Sequence, residues 1–418
     1  MHTFTLLILG SKTEFTPLVR LAKERGFRTV VADGNTGTEA KALADRAYDV
    51  DIRDAAAVAE IAKKEGADAI TTAYSDLLFE CAVRIADAAG LPYHLTPDLL
   101  PYYRDKSVMK KTMDALGIKN AKSALLTGED DAAAISSLRF PIVIKPLDLY
   151  GSRGLRVAGS PEEALAYARE IREAFPQETA LLAEEYNTGR EYNIQCFVHR
   201  GEVHVLGICD REKTAFLEGQ IPFSTRNVYP ARRTEEILPK AKEVLSAYVK
   251  RTGQTSGPLS MQFFYEPGEG VSVCEIAARF LGYEHDLLER ACCISIEELL
   301  LAAAKEDEEE LQRILAAVRP QGVAAAAVLY FHARDGIVAD ESAARSVAQH
   351  PAVTLSELFY SEGDRVGDPQ SMPYFARFSI AAPTREEADS LSLQLIAAMS
   401  AKDKNGDELV YQNRIASA

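Results

Sequence analysis

Apolar and polar positions follow two different rhythms along this chain. From residue 4 to 95, short continuous apolar runs alternate with amphipathic stretches. Phe4–Leu9, Arg28–Ala32, Ala47–Asp51 and Ala67–Thr72 read as strands, and Phe15–Arg25, Ala55–Lys64 and Leu77–Ala89 as helices closed by Gly26, Gly66 and Gly90. Continuous apolar strands between amphipathic helices predict a parallel sheet covered on both faces. The links Gly10-Ser11-Lys12, Asp33-Gly34-Asn35 and Tyr74-Ser75-Asp76 then fall at the carboxyl ends of strands, the edge where such sheets bind ligands.

The rhythm changes near residue 98. Asp105-Lys106-Ser107 opens a helix with Met109, Met113 and Leu116 on one face, ended by Gly117. Strands of antiparallel character follow: Ile142–Lys145, Leu155–Val157, Ala180–Glu185, Tyr192–His199, Glu202–Cys209, Leu259–Tyr265 and Gly270–Ile276. The link His199-Arg200-Gly201-Glu202 reads as a tight hairpin. Residues 301–319 form an acidic-to-basic helical stretch, and Pro320 with Gly322 marks a boundary. The remainder opens with the strand Ala324–His332, turns at Gly363-Asp364, and carries a capping-box-like helix start at Thr384-Arg385-Glu386-Glu387. The fold class is therefore multidomain, α/β followed by α+β.

Composition narrows the setting. A chain of 418 residues holds two to four domains at roughly 100–200 residues each. The opening MHTFTLLILGSK is too short an apolar run for a signal peptide. No stretch reaches the ~20 apolar residues that span a bilayer, so the cytoplasm is the expected compartment. The cysteines Cys81, Cys196, Cys209, Cys274, Cys292 and Cys293 include no CxxC pair and are expected as free thiols rather than disulfides or zinc ligands. The net charge of −15 disfavours nucleic acid and anionic membrane. It leaves nucleotides open, because phosphate binding needs only a few focused cations.

Gly10-Ser11-Lys12-Thr13 ends like a phosphate-binding Walker loop but lacks its earlier glycine, and no GxGxxG fingerprint is present. Stronger candidates come later, in a fixed order. Asp105-Lys106 is the first. In Phe140-Pro-Ile-Val-Ile-Lys145-Pro146 a lysine ends an apolar strand; phosphate is a natural partner for it, and a snorkelling side chain is the bland alternative. Tyr150-Gly151-Ser152-Arg153-Gly154-Leu155 follows, a glycine-rich turn able to approach phosphate oxygens or simply to close a hairpin. Glu184-Glu185-Tyr186-Asn187 and Glu191 supply acceptors at a strand end for adenine and ribose. Finally Gln262 and Glu275 could share one face of a hairpin as magnesium ligands, with Arg279 four residues beyond; a structural salt bridge is the alternative.

Taken in this order and spacing, the motifs resemble the ATP-grasp superfamily, nearest the branch of biotin carboxylase, carbamoyl-phosphate synthetase, the purine ribonucleotide ligases and the L-amino-acid ligases. The resemblance covers essentially the whole chain. It implies a pre-ATP-grasp α/β domain over residues 1–97, an ATP-grasp domain over 98–308 with a mobile lid at about 120–185, and a C-terminal biotin-carboxylase-like α+β domain over 309–418. It implies ATP and Mg2+ as cofactors. Lys106 and Lys145 would hold phosphates, Gly151, Ser152, Arg153 and Gly154 would close over them, and Leu155 would pack on adenine. Glu184, with the backbone of Glu185 and Asn187, would read the adenine edge, and Glu191 the ribose. Glu275 and Gln262 would bind magnesium, and Arg279 would stabilise the transferred phosphoryl group, making Lys145, Glu275 and Arg279 the catalytic set.

The implied reaction is ADP-forming ligation of a small carboxylate, such as an amino acid, to an amine through an acyl phosphate. Expected partners are these small molecules, with neither nucleic acid nor membrane; a homodimer is the assembly left open. The 210–230 segment, with Arg211, Lys213 and Arg226, is expected to line the substrate pocket; Arg226 or Arg377 could pair with a substrate carboxylate, a surface charge being the equal alternative for each. Two departures stand out. The family usually has an acid at the position of Gln262 and an asparagine at that of Ala277. They keep two alternatives open: a purine-pathway or carbamoyl-phosphate type of enzyme, and a nucleotide-binding protein without turnover.

Overall fold

The computed structural model describes residues 2–147, 154–177, 180–187, 189–214, 222–282, 284–367 and 374–411. Its N-terminal part is a four-stranded parallel sheet in the order Arg46–Asp49, Arg28–Asp33, Thr5–Leu9, Ala69–Thr71. Every residue of Thr5–Leu9 is buried, as a run without alternation requires when both faces are covered. The helices Thr16–Glu24, Ala55–Glu65 and Asp76–Ala89 lie where the apolar rhythm puts them. Asp54 and Ser75 cap the last two, and Gly66 and Gly90 end them in the left-handed conformation. A short helix, Glu39–Leu43, is an addition to the sequence reading. One turn and a half is too short to show a periodicity.

The centre of the molecule is an eight-stranded sheet. Its order is Gly270–Ala277, Ser256–Glu266, Arg190–His199, Glu202–Lys213, Ser224–Tyr229, Ala325–His332, Tyr374–Ala382, Val353–Leu358. The predicted hairpin at Arg200-Gly201 is present, both residues having positive φ. Ser224–Tyr229 pairs antiparallel with Ala325–His332, from Arg226↔Leu329 to Tyr229↔Ala326, so the C-terminal strands extend the central sheet. The helices His285–Cys292, Ile296–Ala304 and Glu308–Ala317 share a core with the first sheet. The helix Thr234–Thr252, unmarked in the sequence reading, backs the central sheet. Pro239 inside it removes one backbone donor and hides its rhythm.

A second antiparallel sheet, in the order Ser123–Leu126, Leu181–Glu185, Ile142–Pro146, Arg156–Ala158, stands over the central one. With the helix Pro161–Ala174 it encloses its own small core of Ile142, Ile144, Ala168, Ile171 and Leu181. A unit with its own core can shift as a body without exposing the main core.

The six cysteines are free thiols, four of them buried. Among the described residues no helix is long and apolar enough to cross a membrane.

One close approach ties the N-terminal part to the central sheet. Gly257 has φ +100, and a Cβ there would lie 2.3 Å from the ring of His94. His94 Nε2 meets the carbonyl of Ala278 at 3.3 Å. Gly257→Ala is therefore expected to cost ~2–4 kcal/mol of stability through strain and displacement of His94. A chemical denaturation curve with an unchanged midpoint would contradict this.

Candidate active site

The second antiparallel sheet, the central sheet and the start of the Lys106–Ala115 helix enclose a cleft of about 1550 Å³ among the described residues. Strand alternation decides what faces it. In Ile142–Pro146, Ile142 and Ile144 go into the small core of the second antiparallel sheet, which leaves Val143 and Lys145 toward the cleft. Val143 pairs with Glu184 on the neighbouring strand, so Lys145 and Glu184 are diagonal neighbours on that same face. They form an ion pair, and Lys110 joins Glu184 at 2.7 Å. Burial alone would raise the Glu184 carboxyl, but the two lysines hold it below its ordinary range. Burial would likewise lower Lys145, and the charge of Glu184 lifts it above the ordinary lysine value instead.

Lys106 sits at the first turn of its helix, which Asp105 caps through the amides of Ser107 and Val108. Its ammonium donates to the carbonyl of Leu147 at 2.5 Å and to that of Pro146 at 3.4 Å. Gly151, Ser152 and Arg153 lie outside the described residues. Gly154 has φ +70, and a Cβ there would meet Pro146 at 2.9 Å, so glycine is required. Leu155 lines the cleft.

The strand end after Glu184 is more occupied than its sequence suggests. Glu184, expected to read adenine, spends its carboxylate on Lys145 and Lys110. The Glu185 amide donates to Lys122 O at 2.9 Å and its carboxylate accepts from the amide of Arg139 at 3.0 Å. Asn187 caps its own turn through the amide of Gly189. Glu191 lies opposite Arg211 and Phe264 in the central sheet. It binds Arg211 at 2.5 Å, pairs with Lys213, and accepts from the Gln262 amide. Burial pushes the Glu191 carboxyl up, but Arg211 and Lys213 outweigh it and hold it low.

Gln262 and Glu275 are direct cross-strand partners and share a face, as expected from the hairpin. Among the described residues Glu275 makes no hydrogen bond or close ion pair. Arg279 does: its guanidinium binds Asp76 through two hydrogen bonds, of 2.7 and 2.6 Å, and donates to the carbonyl of Phe280 at 3.1 Å. Burial would raise the Asp76 carboxyl, and Arg279, with Arg104 and Lys106, keeps it low. The fork leaves two of its five N–H donors for a further acceptor.

Magnesium wants oxygen ligands and is commonly bound by one or two carboxylates plus substrate phosphates. Glu275 fits that role. Gln262 fits it weakly, since its amide N–H is engaged by Glu191 and only its oxygen can ligate. Among the described residues no cluster of three or more His, Cys, Asp or Glu is arranged for a metal. The donor set of Glu275 and the Gln262 oxygen thus suits an ion that arrives with a phosphate.

Two expectations are corrected. Arg226 is 1% exposed and locked between Glu212 and Asp389, both at 2.7 Å, so it cannot meet a substrate. Arg377 is buried against Glu357. Two partners of the cleft's charged groups have no assignment in the sequence analysis: Lys110, which pairs with Glu184, and Asp76, which pairs with Arg279. Lys110 lies one helical turn after Lys106, a spacing that was visible. Asp76 was placed at a strand end, but its pairing with Arg279, 203 residues away, has no local signal.

Residues 104–284 match the model of the family described as phosphoribosylglycinamide synthetase, ATP-grasp (A) domain. The carbamoyl phosphate synthase large chain of Micrococcus luteus is 24% identical over 290 residues, which is 65% of this chain and 26% of that protein. The chain thus spans about a quarter of the length of that relative. The L-amino acid ligase of Bacillus licheniformis superposes with a TM-score of 0.78 at 18% identity, covering 97% of this chain and all of that one. The biotin carboxylase domain dimer of Hydrogenobacter thermophilus 2-oxoglutarate carboxylase, solved with MgADP, ADP and bicarbonate, gives 0.73 at 17% identity, covering 98% and 92%. At these identities the structures speak for the fold alone. Fold, matched domain and the order of cleft residues agree, and residues 104–284 of this chain form an ATP-grasp domain.

Proposed function

We propose that this protein is an ADP-forming ligase that activates a small carboxylate, such as an amino acid, and joins it to an amine. The carboxylate oxygen would attack the γ-phosphorus of ATP, forming an acyl phosphate as ADP leaves. The amine nitrogen would then attack the acyl carbon, and phosphate would depart. The single observation that carries this reading is the meeting of Lys106, Lys145 and Arg279 with the unpartnered carboxylate of Glu275 in one cleft.

No side chain need act as nucleophile. Phosphoryl transfer gains chiefly from positioning and from cations set where charge develops. Lys106 and Lys145 are suited to phosphate oxygens, because each is a compact charge. Arg279, oriented by Asp76, presents a planar donor edge to the transferred group or to the carboxylate it reaches. Glu275 and the oxygen of Gln262 would hold magnesium, which neutralises phosphate charge when bound. Because its N–H now bonds Glu191, Gln262 also keeps that carboxylate in place.

Two outcomes follow. Gln262→Glu sets a second carboxylate against Glu191, so the variant should melt lower than the parent without metal. The added anionic ligand should also make it gain more from magnesium with a non-hydrolysable ATP analogue. An equal magnesium-dependent shift in both proteins would remove Gln262 from the metal site. For Arg279→Ala, turnover should fall by roughly 10²–10³ while ATP-analogue affinity changes little, since the contact tightens as charge builds. Rate and calorimetric titration check this together, and an active variant would refute the role.

A further inference from the structure

The same cleft has an aromatic wall that phosphoryl transfer does not use. Phe223, His332 and Tyr374 all line it, and they come from one end of three adjacent strands. Phe223 directly precedes Ser224–Tyr229, His332 ends Ala325–His332, and Tyr374 opens Tyr374–Ala382 as the cross-strand partner of His332. The rings touch in series. Phe223 and His332 have centroids 4.0 Å apart at 43°, and His332 and Tyr374 lie 5.0 Å apart at 65°. Tyr330 backs Tyr374 at 5.1 Å.

Two features show a built surface. The sheet register shifts between Phe331 and His332, and such a shift re-aims a side chain. The His332 ring is then fixed by Nε2, which donates to the carbonyl of Ser224 at 3.0 Å. Nearby aromatics of the same strands behave differently: Phe331 and Phe378 are closed in the core at 1% and 0% exposure.

Resting on the ligase reading above, we propose that this wall is the side-chain subsite of the substrate and that it takes an uncharged ring, an aromatic or heteroaromatic group carried by the carboxylate or the amine. Rings of this kind select other rings through offset and edge contacts. An aromatic wall can also attract cations. Here Arg211 stands beside the wall as a like charge to any cation, its guanidinium hydrogen-bonded to the Ser224 hydroxyl at 3.0 Å.

The test is a pair of probes of matched chain, 3-phenylpropionate and butyrate, titrated calorimetrically into the protein with and without a magnesium-bound non-hydrolysable ATP analogue. The phenyl probe is expected to bind roughly tenfold more tightly, and His332→Ala and Phe223→Leu to cut that advantage to about twofold with butyrate affinity retained. Thermal melts confirm that each variant is folded, and Phe223→Leu keeps volume should His332→Ala fail. Equal affinities for the two probes, or an undiminished phenyl advantage in either folded variant, would overturn the assignment. Failure of the ATP analogue to bind would instead overturn the ligase reading, while the titrations without nucleotide still decide the subsite.

Discussion

Cations cannot be buried unpaired, and the cleft is organised around that constraint. Lys145 and Lys110 share Glu184, Arg211 and Lys213 share Glu191, and Arg279 is held by Asp76. The sharing matters: two cations on one carboxylate, twice over, leave a local positive surplus within a protein of net charge −15. Such a surplus in a walled cleft focuses the field on an anion. Each carboxylate also fixes the side chains it pairs with, so that the cations are positioned before any phosphate arrives. Removing one carboxylate would therefore release two cations rather than one at Glu184 and at Glu191.

The sheet supplies the geometry. Three of the five register shifts in its described ladders fall at Glu212/Lys213, at Gln262/Phe263 and at Phe331/His332, the others at Val205/Gly207 and Val353/Leu355. Lys213, Gln262 and His332 all line the cleft. A regular ladder would carry residues to alternate faces without exception, and a shift lets one side chain turn against that alternation. The second antiparallel sheet keeps a core of its own. Lys106 holds the carbonyls of Pro146 and Leu147 at the end of the strand Ile142–Pro146, so it links its own helix to that sheet.

Much of this was legible in the sequence. The four parallel strands, the Lys106 helix with its Asp105 cap, and the hairpin that pairs Gln262 with Glu275 follow from apolar rhythm and turn residues. The cleft residues from Lys106 to Arg279 were found as a set because family motifs keep their order even when each motif is weak. Partner choice was not legible. Glu184 reads as a free acceptor until the fold sets Lys110 beside it, and Arg226 reads as a pocket cation until the C-terminal helix Arg385–Ala398 supplies Asp389. The continuity of the central sheet through residue 325 was equally hidden, since strand pairing across the Pro320–Gly322 boundary leaves no local trace. The aromatic wall depends on three strands meeting in space, and no linear pattern could join Phe223, His332 and Tyr374.

In the proposed ligation the carboxylate itself accepts the γ-phosphoryl group. An oxygen-18 label in that carboxylate tests it most directly, because the oxygen that attacks phosphorus stays with it when the amine displaces phosphate. With an active substrate pair, mass spectrometry of the released inorganic phosphate should find one labelled oxygen per turnover. Label appearing in AMP, or phosphate released with none, would contradict the account.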